Sequence, residues 1–492
     1  MMLNSKNVEQ QILTPSEILP KRNFILANPK NIGVMIVVLI ALLIGICKPL
    51  TGLPPIGHHI IAVVIIALGL WIFKPNNVPF MAGCAFVVSG GLIFGLNYGV
   101  VAAGFVSSSV WILIPALYFG FVLQKTGLGK RIAYLVLKAF EPGWVTMAIS
   151  WFIIGVLLSA LTPSITVRLA IVMPIALGVI DACKLKYNSK GSAFIALIAF
   201  AMCLFPGTGW LTGSLSGPIM TGFLPPELKP LATFDNWFKI LALPWFLVTV
   251  IYVALVVVLM KPNEAIGIPR DTFKEEYKGL GPISRDEIIT GIILVACLVL
   301  FTTERIHGIP AAGAALMALV LLLVFGIIKP TEIGTGANWD VICFFGVAIS
   351  LSPIFLEAQV SAWLTPILQP TILSLATNPL IFLLLVTIGM MLIRFIDVPW
   401  GFSTIALTAV VLIPVFNQFG IHPLVVTFAY LVGINFFLLS YQQPWMLMAE
   451  GILQNKGWAA NHVFIAGLCF IIAAIAAIVI CMPYWRMIGV IP

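Results

Sequence analysis

Residues 161–168 read Leu-Thr-Pro-Ser-Ile-Thr-Val-Arg, a polar break with one charge inside a run that is otherwise apolar from Trp144 to Ile180. The run is about 37 residues long, whereas one helix needs about 20 residues to cross a bilayer. Pro163 cannot continue the first helix, while Ser164 or Thr166 can cap a second one. The stretch therefore predicts a re-entrant helical hairpin at about 144–180. Its tip needs protein or a water-filled cavity beside it to satisfy the free backbone groups.

A second break of the same kind lies downstream. Residues 379–396 are apolar apart from Thr387 and Arg394, residues 397–404 (Asp-Val-Pro-Trp-Gly-Phe-Ser-Thr) interrupt the run, and residues 405–419 resume it. This pattern predicts a second hairpin at about 379–419.

The two tips also share a local pattern. Ser164 and Thr404 are each followed by isoleucine, and a proline, Pro174 or Pro414, stands ten positions after each hydroxyl residue. Paired interruptions at corresponding positions of two halves indicate the binding site of a transporter. Two unrelated kinked helices are the alternative explanation.

The composition excludes a soluble protein, because 61% of the residues are hydrophobic and only 9% are charged. The net charge of +8 is spread over short connecting loops, so we expect no nucleic-acid partner. The eight cysteines lie mostly in apolar segments without a C-x-x-C pair, and the five histidines lack an H-E-x-x-H motif. We therefore expect no metal site and no catalytic residues.

The apolar segments predict an all-α polytopic membrane protein with about 11 transmembrane helices plus the two hairpins. The predicted crossings are 32–47, 58–73, 78–96, 109–124, 192–224, 237–260, 288–301, 309–328, 339–356, 423–450 and 461–485. With the N-terminal tail, residues 1–31, in the cytoplasm, 19 of the 26 Lys and Arg residues lie on the cytoplasmic side and 5 lie outside. The positive-inside rule supports this orientation.

The same orientation divides the chain into two inverted repeats. The first repeat, 32–260, carries a hairpin that opens to the cytoplasm, and the second, 288–492, carries one that opens outward. Residues 261–287 form the hydrophilic cytoplasmic linker between them.

Several further motifs follow one another along the chain. They are Trp111 with Lys-Thr-Gly-Leu-Gly-Lys-Arg-Ile-Ala at 125–133, Thr-Pro-Ser-x-Thr-x-Arg at 162–168, Leu-Thr-Gly at 211–213, and Trp-Asp-Val at 339–341 with Phe-Gly at 345–346. This series resembles the divalent anion/sodium symporter family, especially its citrate/succinate-type and plastid dicarboxylate exchangers. The resemblance implies a homodimeric, elevator-type carrier of a bacterial inner membrane.

In that family, a Ser-Asn-Thr triplet at each tip binds the carboxylates of the substrate. Here the triplets read Ser164-Ile165-Thr166 and Thr404-Ile405-Ala406, so both amides are replaced by isoleucine. Isoleucine offers no hydrogen bond, which leaves hydroxyls and helix N-termini to bind an anion.

The resemblance and the polar residues at membrane depth together define the candidate substrate-binding residues. They are Ser164, Ile165, Thr166, Arg168, Thr212, Ser403, Thr404, Gln442 and Gln443. The two glutamines either replace the missing asparagines or hydrogen-bond between helices. Residues 208–216 and 441–444 are expected to be unwound.

Three charges lie at membrane depth, where charged side chains are costly and typically functional. Arg168 is either a structural cation or, as an arginine at this spacing in the family's exchangers implies, a substitute for a coupling sodium ion. Arg394 and Asp397 are spaced i,i+3 and form either a neutralising pair or a proton- or substrate-sensing site.

The sequence predicts a secondary carrier that exchanges small divalent organic anions, namely dicarboxylates. It needs no cofactor, although Na+ is a candidate coupling ion, and its partners are the anionic substrate, the lipid bilayer and a second copy of the chain. A sodium- or proton-coupled symporter of sulfate or a tricarboxylate is the alternative. A channel would not need two opposed hairpins, and an intramembrane enzyme lacks a G-x-S-x-G motif.

The predicted orientation can be tested with single cysteines in a variant whose eight native cysteines are replaced by serine. Lys274→Cys should react with a membrane-impermeant maleimide only from the cytoplasmic side, and Val106→Cys only from outside, because the Lys and Arg asymmetry places them there. Reversed labelling would contradict the orientation of both hairpins.

Overall fold

The computed structural model describes residues 29–224, 228–263, 266–269, 271–375, 378–395 and 420–492, and every regular element in these ranges is a helix. In chain order, the helices of eight or more residues are α1 (Pro29–Cys47), α2 (Pro55–Phe73), α3 (Phe80–Ile93), α4 (Ser108–Lys125), α5 (Leu128–Leu137), α6 (Trp144–Leu161), α7 (Ile165–Ala182), α8 (Lys190–Gly209), α9 (Ser216–Phe223), α10 (Leu243–Met260), α11 (Thr272–Gly279), α12 (Arg285–Thr302), α13 (Ala311–Val324), α14 (Trp339–Glu357), α15 (Val360–Leu375), α16 (Pro379–Ile393), α17 (Pro423–Ile434), α18 (Pro444–Ile452) and α19 (Ala460–Met487).

The all-α polytopic fold class is confirmed. Within the described ranges, nine helices are long and apolar enough to cross a membrane: α1, α2, α4, α6, α7, α8, α10 with its lead-in from Phe234, α14 and α19. The apolar helices α3, α13, α16 and α17 are shorter. Helices are expected in lipid because they satisfy their backbone hydrogen bonds internally.

The helices form two bundles, which we call the first and the second bundle. In the first bundle, α2 packs between α1 and α3, α3 packs on α14, and α4 packs on α9 and α13, with α12 beside α13. In the second, α8 packs on α6, α7 and α10, α19 packs on α10, and α16 packs on α17 and α19. The bundles meet where α4 and α5 contact α7.

The first predicted hairpin is present as α6, a three-residue break and α7. Pro163 lies in the break, and Ser164 is the N-cap of α7, since its Oγ accepts a hydrogen bond from the Val167 N–H at 3.3 Å. Each arm has 18 residues and is therefore about 27 Å long. In the second predicted hairpin, α16 is the first arm, while residues 397–419, which include the tip, lie outside the described residues.

Two interruptions outside the hairpins are present, with bounds that differ from the predicted 208–216 and 441–444. The α-helical chain stops at Gly209 and resumes at Ser216, and it stops again at Ile434 and resumes at Pro444, with a short 3-10 helix at Ser440–Gln442 in the second break. Pro206 lies inside α8 and a proline begins α18, which fits the helix-breaking chemistry of these residues.

The predicted cytoplasmic linker, residues 261–287, is fastened to α5 by a buried ion pair. The Arg131 Nε in α5 lies 2.6 Å from Glu287 Oε1 in the first turn of α12, and the same guanidinium donates to the carbonyls of Leu280, Gly281 and Pro282. These bonds hold the linker chain against α5.

Candidate functional site

A cavity of about 460 Å³ reaches from the predicted cytoplasmic side to the tip of the first hairpin. Its walls come from both bundles, and it is bounded by Lys74, Phe80, Leu117, Phe121, Gln124, Ser164, Ile165, Thr166, Val167, Leu215, Thr335, Gly336, Ala337, Asn338, Val341, Phe344, Phe345, Pro444 and Trp445. Of the described residues, Lys74 is the one ionisable group in this lining. The wall is thus mostly apolar, with amides, hydroxyls and one cation.

The inner end of the cavity is the start of α7. Ser164 caps the helix, and its own N–H donates to Thr162 Oγ1 at 3.2 Å. The next N–H groups belong to the first turn of a helix, where no carbonyl of the same helix accepts them. Because the positive end of the helix dipole lies there as well, this end of the cavity favours an anion.

The tip approaches α4 through a glycine. A Cβ on Gly120 would lie 2.8 Å from Thr162 Oγ1 and 2.9 Å from Ser164 Cβ. Any larger residue at position 120 would therefore push the tip away from α4. The glycine thus lets α4 form one wall of the cavity directly beside the tip.

Arg168 lies behind the tip, outside the cavity wall. Its side chain is fully buried, and Nη1 donates to Thr162 O at 3.2 Å and to Gly213 O at 2.7 Å. No Asp or Glu of the described residues forms an ion pair with it. The guanidinium therefore ties the hairpin tip to the break between α8 and α9, and its charge acts on the cavity through the tip rather than by contact.

Two glycines make room for this guanidinium. A Cβ on Gly207 would lie 2.3 Å from Gly213 O and 2.5 Å from Arg168 Nη1, and a Cβ on Gly213 would lie 2.6 Å from Ser159 O. Since real Cβ atoms do not approach this closely, both positions require glycine for this packing. The sequence marks this segment only as glycine-rich, so the role of Gly207 is missed without the structure.

Thr212 and the two glutamines are buried in other places. Thr212 lies beside Pro163 at a much smaller space on the far side of the tip. Gln442 Oε1 accepts from the N–H groups of Leu438 and Leu439 at 2.7 and 2.9 Å. The amide of Gln442 thus braces the break between α17 and α18.

Gln443 braces the same break from its other end. Its Nε2 donates to the carbonyls of Ile434 and Phe436 at 3.3 and 3.4 Å. Pro444 and Trp445, which follow, do line the cavity. The glutamines therefore set the position of a cavity wall without forming it.

The remaining predicted residues belong to the second tip. Arg394 ends α16 and is fully buried. Asp397, Ser403 and Thr404 lie outside the described residues, as does Ile405. Their part in the site stays a prediction.

The structure adds polar residues that the sequence reasoning missed. Gln124 and Asn338 bring amides to the cavity, and Thr335 brings a hydroxyl. Gln124 directly precedes the quoted motif at 125–133, and Asn338 directly precedes the one at 339–341. Both motifs therefore adjoin residues that line the cavity. The sequence pattern did not distinguish these two amides, because they lie at loop edges, where polar residues are common.

The loop that carries Thr335 and Asn338 is fastened across the cavity mouth. Lys125 Nζ lies 2.5 Å from Glu332 Oε2 and donates to Ile327 O at 2.8 Å, and the Tyr118 hydroxyl donates to Ile333 O. The Lys125 ammonium lowers the pKa of the Glu332 carboxyl below its ordinary value. The Glu332 carboxylate therefore stays charged at neutral pH.

Known proteins are similar to this chain in sequence and in fold. Residues 28–491 match the family described as "Sodium:sulfate symporter transmembrane region". A membrane protein of Cupriavidus necator is 25% identical over 332 residues, which cover 64% of this chain and 64% of that protein. The chloroplastic dicarboxylate transporter 1 of Spinacia oleracea is 24% identical over 276 residues, which cover 54% of this chain and 48% of that protein.

A solved structure shows the same fold. The YdaH transporter of Alcanivorax borkumensis has a TM-score of 0.56 to this chain at 17% identity, over 89% of this chain and 100% of that one. At this identity the likeness supports the fold and nothing finer.

The Arg168 packing predicts that Gly207→Ala lowers the melting temperature of the detergent-purified protein. The added methyl must displace the guanidinium or the Gly213 carbonyl, and overpacking of this kind costs about 1–3 kcal/mol. Gly178→Ala is the matched control, since nothing lies within 4 Å of its added Cβ and alanine favours a helix. If both variants have the melting temperature of the native protein, an added methyl group fits beside Arg168 without displacing its neighbours.

Proposed function

The chain belongs to the family of the sodium:sulfate symporter transmembrane region, and from this premise we propose that it exchanges small dicarboxylates across the membrane. It is an integral, multi-pass membrane transporter rather than an enzyme. The family assignment confirms the resemblance found in the motifs at 125–133, 162–168 and 339–341. The coarser conclusion, an anion transporter, rests on the family and its named relatives.

One observation carries the choice of a dicarboxylate. The cavity joins an anion-favouring helix start to a largely apolar wall that includes Leu117, Phe121 and Phe344. An organic dianion has carboxylates for the polar groups and a methylene body for the apolar ones. A compact inorganic anion would leave this apolar wall without a partner.

Ile165 supports the same substrate class. It stands where the family's triplet has an amide, lines the cavity and offers only apolar contact. The remaining donors at the tip are hydroxyls and backbone N–H groups, which suit a carboxylate oxygen. The loss of an amide therefore shifts recognition toward the body of the anion.

The buried cation supports exchange. In a low-dielectric core, Arg168 lowers the cost of bringing an anion to the tip without help from a sodium ion. When the cavity is empty, the same charge lacks a counter-ion among the described residues, so moving it through the membrane is costly. The loaded carrier should therefore reorient faster than the empty one.

A sodium-coupled symporter of sulfate or another anion is the second candidate, because the family's description names both ions. In that case Arg168 is purely a structural brace between the tip and Gly213. Sodium dependence of transport separates the two candidates.

The two bundles suit a carrier that moves as an elevator. The first hairpin packs within the second bundle, so that bundle would carry the tip while the first bundle stays in place. We propose that the two halves of the chain, 32–260 and 288–492, are inverted repeats that supply one hairpin each. We further propose that two copies form the working dimer.

Uptake into liposomes tests the proposal. Labelled succinate should enter only when the liposomes contain an unlabelled dicarboxylate, and sodium should change the rate little, because Arg168 supplies the cation. Sulfate and butyrate are the comparison anions. Steep sodium dependence without internal substrate would refute exchange and support the second candidate.

Arg168→Gln should abolish succinate binding or make it depend on an added cation, since the neutral amide removes the charge behind the tip. Arg168→Lys is the matched control, because it keeps a cation and should retain part of the binding. Binding is measured by competition with labelled succinate on protein whose melting temperature is recorded. Unchanged binding by Arg168→Gln would exclude this electrostatic role.

Ile165→Asn should change the ranking of anions, because the amide restores two donors and one acceptor at the start of α7. Small polar anions such as sulfate should gain affinity relative to succinate. Ile165→Val is the matched control, because it keeps the apolar character and should keep the ranking. An unchanged order for Ile165→Asn would mean that position 165 does not contact the substrate.

A further inference from the structure

Lys74 is the charged residue among the described residues that line the cavity. It lies just after α2, in the first bundle, whereas Ser164 and Thr166 at the inner end belong to the second bundle. No carboxylate among the described residues lines the cavity with it. The cavity therefore offers an anion two favourable groups, a helix start and an ammonium group, one from each bundle.

The surrounding residues hold the Lys74 ammonium group in place. Lys74 Nζ lies 3.6 Å from the centroid of the Phe80 ring, which also lines the cavity. Trp71 Nε1 donates to Phe80 O at 2.9 Å, and Phe80 N–H donates to Asp340 Oδ2 at 2.9 Å. The ring that holds the ammonium is thus itself held from two sides.

This gives the Trp339-Asp340 motif a physical role. Asp340 accepts from the N–H groups of Phe80 and Met81, the latter at 2.7 Å, and so occupies the start of α3. Both of its oxygens are engaged, one by each N–H. The carboxylate fixes the wall beside Lys74 without lining the cavity.

The chain leaves α2 through a left-handed C-cap at Lys74. Lys74, Asn76 and Asn77 have φ values of 44°, 51° and 57°, which lie in the left-handed region. Such conformations are uncommon for residues other than glycine and persist where the surrounding structure holds them.

The surroundings also affect the charge of Lys74 and its screening by water. Burial lowers the pKa of Lys74 from its ordinary value, and the Asp340 carboxylate works in the opposite direction. The ammonium is half-buried, so water screens it less than it would on an open surface. An anion that enters the cavity meets this partly dehydrated cation.

We propose that Lys74 receives the second carboxylate of the substrate, the one that does not lie at the start of α7, and thereby selects dianions over monoanions. The inference rests on the proposed function, since it assumes that a dicarboxylate occupies the cavity. A bound dicarboxylate then bridges the two bundles, with one end on Lys74 and the other on the hairpin tip.

Succinate and butyrate test this role, because both have four carbons and they differ in the second carboxylate. Lys74→Met in the full-length, detergent-purified protein should weaken succinate binding about ten- to a hundredfold, as expected for loss of one charged hydrogen bond. Butyrate binding should stay within about twofold. Lys74→Arg should restore the preference for succinate.

Lys130→Met is the matched control. Lys130 is an exposed lysine whose Nζ lies 5.7 Å from the centroid of the Tyr134 ring, on the same predicted side of the membrane but outside the cavity lining. Its replacement should leave both affinities unchanged. An equal loss of affinity in both lysine variants would mean general attraction of anions and would overturn the proposal.

The outcomes separate the inference from the proposed function. If the native protein binds succinate and Lys74→Met keeps the native preference, or weakens both anions equally, the role of Lys74 is refuted while dicarboxylate binding stands. If the native protein binds neither anion, the proposed function falls and the inference falls with it. Retained butyrate binding by Lys74→Met shows that the variant is folded.

Discussion

A single buried guanidinium joins the parts on which the cavity depends. Arg168 bonds to the carbonyl of Thr162 at the hairpin tip and to that of Gly213 in the break after α8. Each of these carbonyls lies where a helix is interrupted, so an intrahelical N–H does not satisfy it. The charge is expensive to bury and the free carbonyls are expensive to leave unbonded, so each offsets part of the cost of the other.

Small residues then determine how closely the parts approach. Gly207 gives the guanidinium its place, and Gly120 lets the tip lie directly against α4. With the tip held between these two contacts, the first turn of α7 faces the cavity, and the side chains of Ser164 and Thr166 lie at its inner end. An interrupted helix leaves backbone groups without hydrogen-bond partners, which is costly in lipid. The packing places the N–H groups of this break at the cavity, where they form a binding surface for an anion.

Several of these features follow from local chemistry and were predictable from the sequence. Pro163 must end a helix, Ser164 is a strong N-cap residue, and the prolines at 206 and 444 lie close to the two breaks outside the hairpins, the first near the end of α8 and the second at the start of α18. The high apolar content and the Lys and Arg asymmetry predict a polytopic membrane protein with a definite orientation. None of these inferences needs to know which residues meet in space, which is why they could be made residue by residue.

The sequence by itself thus determined the class of protein, the helices and the places where they break. Only the tertiary structure decided which way the polar groups at those breaks point. It turned Gln442 and Gln443 toward backbone groups of their own break, put Arg168 behind the tip, and brought Lys74 and Asn338 from distant loops into the cavity wall. The physical reason is that a helix break depends on the neighbouring residues in the chain, whereas the direction of a buried side chain depends on which acceptors and donors the packing of other helices leaves within its reach.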